Sequence, residues 1–77
     1  MTDNKDVYIK DEGDFATIVF QTEQSIKLVK EQVQEKNLRI GKDFYGKELV
    51  KMDVDVQNVP EIESWLVSHD LSWESDL

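Results

Sequence analysis

The sequence predicts a small α+β domain: an antiparallel sheet of three to four strands with two helices packed on one face, in the order β-β-α-β(β)-α. Three observations predict it. Two apolar runs flank an acidic turn near the start, apolar and polar residues alternate from Val50 to Gln57, and apolar residues recur at helical spacing after Thr22 and again after Pro60. A chain of 77 residues has room for one domain, 1–77, and its polar ends, 1–5 and 74–77, read as flexible.

The runs Val7-Tyr8-Ile9-Lys10 and Phe15-Ala16-Thr17-Ile18-Val19-Phe20 enclose Asp11-Glu12-Gly13-Asp14, where Gly13 supplies positive φ, so they form a hairpin. With Lys10 opposite Phe15, the residues Val7, Ile9, Ala16, Ile18 and Phe20 share the core face. The other face carries Tyr8, Phe15, Thr17 and Val19, more apolar than a purely solvated sheet requires, and suits a covering element or a second copy.

Thr22 is placed to cap a helix running to about Lys36, with Ile26, Val29 and Val33 on its buried face and Leu28 beside them. Asn37 offers a left-handed cap and Leu38 folds back on the last turn. Leu38-Arg39-Ile40 is a short strand, and the segment from Gly41 to Gly46 a loop. In the next strand Val50, Met52, Val54 and Val56 share one face. Asn58, Pro60 and Glu61 then supply a capping side chain, a first-turn proline and an early acid for a second helix that buries Ile62, Trp65 and Leu66. No firm stop signal follows His69, so a helical continuation would stack Trp65, His69 and Trp73.

Charge is unevenly spread along the chain. Of the net −8, residues 1–23 carry −4, residues 24–51 carry +3, and residues 52–77 hold seven acids with no lysine or arginine. Such an end repels phosphate backbones and favours a partner protein with a basic surface. The absence of cysteine excludes disulfides and thiolate chemistry and suits a reducing compartment. No apolar stretch approaches the length of a membrane span, so cytoplasm is the expected location and no membrane association is expected.

No catalytic or cofactor-binding constellation emerges, and the chain is expected to be neither an enzyme nor a cofactor protein. Ser68, His69 and Asp70 are sequence neighbours that would splay about 100° apart on a helix, so they do not converge as a triad. Gly41-Lys42 and Gly46-Lys47 lack the spacing of a phosphate loop. Asp11, Glu12 and Asp14 do not follow a calcium-loop pattern, while Asp53 and Asp55 share a strand face on which water or a hard cation could meet them. No metal site is assigned.

Two surfaces remain. Leu71, Trp73 and Leu77, set among Asp70, Glu74 and Asp76, form an acidic and aromatic docking surface for a basic partner. The expected function is therefore a non-enzymatic interaction or regulatory protein, with an inhibitor that mimics nucleic-acid charge as its sharper variant. The alternative is a nucleic-acid-binding module using Arg39, Lys42, Phe44, Tyr45 and Lys47, which the overall acidity disfavours. The chain is expected to act as a monomer or a homodimer.

Overall fold

The computed structural model describes residues 5–77. Strands β1 (Val7–Asp11) and β2 (Phe15–Phe20) form the expected hairpin. Lys10 stands opposite Thr17, two positions from the expected Phe15. A slip of two preserves which face each side chain takes, so Val7, Ile9, Ala16, Ile18 and Phe20 are all buried on one side. The turn is tightened to Gly13-Asp14, with Glu12 N–H donating to the Phe15 carbonyl at 3.0 Å and Gly13 at φ 98°.

Helix α1 (Glu23–Gln32) opens on a reciprocal cap. Thr22 Oγ1 accepts from the Ser25 N–H at 3.3 Å, and Ser25 Oγ accepts from the Thr22 N–H at 3.2 Å, satisfying two of the orphan donors of the first turn. The helix ends four residues before Lys36, because Val33 is extended and a single 3-10 turn, Glu35–Asn37, redirects the chain. That early stop lets Leu38 drop into the core and Arg39 begin strand β3 (Arg39–Lys42). Asn37 does not adopt the expected left-handed conformation.

Strand β4 (Glu48–Asp55) shows the expected alternation: Val50 is fully buried, and Met52 and Val54 are packed at the core's edge. Val56 falls outside the strand in the 3-10 turn Val56–Asn58, which runs directly into helix α2 (Val59–Ser68). For that reason Asn58 has helical φ and ψ and its side chain does not cap, although Pro60 occupies the first turn as expected.

Helix α2 stops at a Schellman motif. The Leu71 N–H bonds the Leu66 carbonyl at 2.9 Å, the Asp70 N–H bonds the Val67 carbonyl at 3.1 Å, and Asp70 takes φ 59°. Leu66 and Leu71, both buried, provide the apolar contact that accompanies such a stop. The helix therefore does not continue to Trp73. The chain instead forms a fifth strand, β5 (Trp73–Ser75), parallel to β1.

The sheet is thus mixed and five-stranded, in the order β3-β4-β2-β1-β5, rather than antiparallel with three or four strands. A parallel neighbour requires a crossover connection, and α2, lying across the sheet, returns the chain to the free edge of β1. Both helices pack on the same face, with Ile26 and Val29 of α1 and Val59 and Leu66 of α2 joining the core built by the inward residues of β1, β2 and β4. Each large side chain fully buried there contributes about 1.5–3 kcal/mol. No helix among the described residues is long and apolar enough to cross a membrane.

Candidate functional site

The pleat of β5 divides the anticipated C-terminal docking residues. Trp73 packs half-buried against the core and Leu71 is buried, whereas Glu74 registers with Tyr8 on the opposite side of the sheet. The Asp76 N–H donates to the Ile9 carbonyl at 2.9 Å, and the Asp76 carboxylate accepts from the Tyr8 hydroxyl. Asp70 caps α2, and Leu77 is half exposed. These six residues face three directions and do not form one surface.

The β3–β4 hairpin does gather its anticipated residues. Asp43, Phe44, Tyr45 and Gly46 make a turn in which the Gly46 N–H returns to the Asp43 carbonyl at 3.1 Å, and Gly46 takes φ 83°. Asp43 Oδ1 accepts from the N–H groups of Tyr45 and Lys47, both at 2.8 Å, locking the loop from within. Phe44 and Tyr45 occupy the outward positions of that turn and are 97% and 90% exposed, with their rings edge to face at 6.1 Å. Lys42 and Lys47 flank them. Arg39, lower on the hairpin, is held by Asp53 at 2.6 Å.

A third feature lies between the helices. Val29 of α1, Val33 just beyond its end, and Ile62, Trp65 and Glu61 of α2 wall a cleft of about 230 Å³ whose floor is Phe20 and Met52. Trp65 is fixed by an edge-to-face contact with Phe20 at 6.3 Å and by the His69 ring at 4.8 Å. Glu61 is the only carboxylate on the lining, and all other lining side chains are apolar.

No protein-family model, curated protein or solved structure matches this chain.

The open face of the sheet, away from both helices, mixes charges. Asp53, Asp55, Glu74 and Asp76 alternate there with Lys10, Lys51 and Arg39, as the registers of the five strands dictate. Asp53 Oδ1 is engaged twice, by Thr17 Oγ1 at 3.0 Å and by Arg39. Among the described residues, no three His, Asp or Glu side chains are grouped so as to hold a metal ion.

The apolar residues that line the cleft each read in the sequence as members of a buried face, and Glu61 as an early acid of its helix. The opening itself arises from strands and helices far apart in the chain, and no local pattern announces it.

Proposed function

We propose that this chain is a non-enzymatic interaction module that captures a basic segment of another protein, seating an apolar side chain of that segment in the cleft between α1 and α2. The observation that carries this reading is the apolar cleft with Glu61 on its wall, beside a helix, α2, that holds Glu61 and Glu63 and no lysine or arginine. An apolar anchor beside a cation is the chemistry such a surface selects. Burial of the anchor supplies affinity, and the carboxylates of α2 select a positively charged flank.

The test is a titration of the isotope-labelled chain with two synthetic amphipathic peptides, one built of leucine and lysine and the other of leucine and glutamate. The lysine peptide should shift Val29, Val33, Ile62 and Trp65, and both Glu61→Lys and Ile62→Ser should weaken it at least tenfold. Equal binding of the two peptides, or shifts confined to other surfaces, would overturn the reading. Mimicry of nucleic-acid charge is not part of it, because the carboxylates of the open face are interleaved with cations.

A second reading rests on the tip of the β3–β4 hairpin. Two nearly fully exposed aromatic rings between Lys42 and Lys47 offer stacking surfaces and phosphate contacts to single-stranded nucleic acid. Binding of an unstructured oligonucleotide at low salt, lost in Phe44→Ala and Tyr45→Ala, would favour this reading over capture of a basic segment.

A further inference from the structure

The strand registers place five residues in one row across the open face: Arg39, Lys51, Val19, Tyr8 and Glu74. The row runs from two cations through two apolar side chains to a carboxylate. The next row sets Asp53 and Lys10 on opposite sides of Thr17, with Asp76 on the Lys10 side partly offsetting its charge. A surface whose charge reverses across a central strand is complementary to a copy of itself turned by a two-fold axis along that strand.

We infer that two copies of this chain associate face to face through their open sheet surfaces, with the two-fold axis running along β2. That operation stacks Val19 on Val19, while Thr17, already buried within each copy, lies beneath the contact. It sets Arg39 against Glu74 of the second copy, Lys51 over the ring of its Tyr8, and Asp53 against its Lys10. The same axis brings Phe15, 38% exposed at the end of β2, onto its counterpart. Asp55 meets Glu12 of the second copy at the turn end of the sheet, a like-signed contact that weakens the pairing.

Five strands about 4.8 Å apart, and some five residues long, present roughly 400 Å² per copy. The total, roughly 800 Å², falls below the range of stable specific interfaces and within that of weak, transient ones, so the dimer forms only at high micromolar concentration or above and dissociates as salt rises. The helix-side cleft lies on the other face of the sheet and stays open in both copies, so this pairing stands independently of the proposed capture of a basic segment.

Sedimentation equilibrium of the full chain from low micromolar to about 1 mM tests the pairing. The expected result is a mass that rises from monomer toward dimer at low salt. Glu74→Lys and Arg39→Glu should each raise the dissociation constant at least tenfold, and an equimolar mixture of the two variants should restore association, since each then meets an opposite charge. A monomer throughout, variants that associate like the parent, or a mixture that fails to recover would each overturn the inference. Because Arg39→Glu also breaks the contact with Asp53, isotope-filtered NOEs between labelled and unlabelled parent chains give a second measurement. They should connect Val19 with Val19 and Tyr8 across copies, and contacts mapped elsewhere would refute the geometry.

Discussion

Asp6 and Ser72, 66 positions apart, bind each other in both directions: the Asp6 N–H donates to Ser72 Oγ at 3.1 Å, and the Ser72 N–H donates to Asp6 Oδ2 at 3.0 Å. The other carboxylate oxygen of Asp6 accepts from Thr22 Oγ1 at 2.5 Å, and its carbonyl accepts from Ser25 Oγ at 3.0 Å. One residue therefore joins the start of β1, the cap of α1 and the approach to β5. Asp6→Ala takes the acceptor from the Ser72 N–H and the Thr22 hydroxyl, leaving the two backbone contacts in place, and should lower stability by about 1–3 kcal/mol in denaturant unfolding.

Acid should act through the same carboxylate. Partial burial alone pushes the Asp6 carboxyl up, but the hydrogen bonds from Thr22 and from the backbone and hydroxyl of Ser72 outweigh it and hold the group below its ordinary value. A carboxyl lowered on folding contributes fully above its unfolded value, near about 4, and loses that contribution as pH falls through the lower folded value. Stability measured from pH 6 to pH 2 should fall less steeply in Asp6→Asn than in the parent.

Asp70 holds a left-handed backbone at the end of α2, a conformation that glycine adopts without a steric penalty. Asp70→Gly should preserve the Schellman stop and raise stability by up to about 1 kcal/mol, while Asp70→Val should lower it, as thermal unfolding would record.

Tyr8 donates its hydroxyl to Asp76, and this bond, reinforced by desolvation and by the charges of Asp76 and Glu74, raises the phenol above its ordinary value. Titration of Tyr8 followed by NMR should therefore have its midpoint above about 10, and Asp76→Asn should bring that midpoint down.

Phe44 and Tyr45 bury almost nothing within the fold. Replacing either with serine should leave unfolding free energy within about 0.5 kcal/mol of the parent, whereas Phe20→Ala should cost about 3–5 kcal/mol.

Several of these elements were legible in the sequence because their signals are local. The alternation around Val50, Met52 and Val54, the glycine turn of the first hairpin and the capping Thr22 each sit within a few residues of what they determine. The fifth strand also had a trace, since buried Leu71 and half-buried Trp73 alternate with exposed Ser72 and Glu74. That short alternation was eclipsed by the helical spacing of Trp65, His69 and Trp73. Asp6 gave no sign at all, because its partners are Thr22 and Ser72 and only the folded sheet brings them together. The cleft is hidden for the same reason, and the dispersal of the C-terminal acids and aromatics follows from the pleat of a three-residue strand whose local signal is weak.

The loop between β3 and β4 is braced by its own backbone and by Asp43, so the two rings at its tip stand on a scaffold that is ordered before anything touches them. A ring presented this way has two side-chain torsions left to immobilise when it is gripped, and the backbone beneath it surrenders little further conformational entropy. Contacts made at this tip should therefore form with a small entropic penalty for their area.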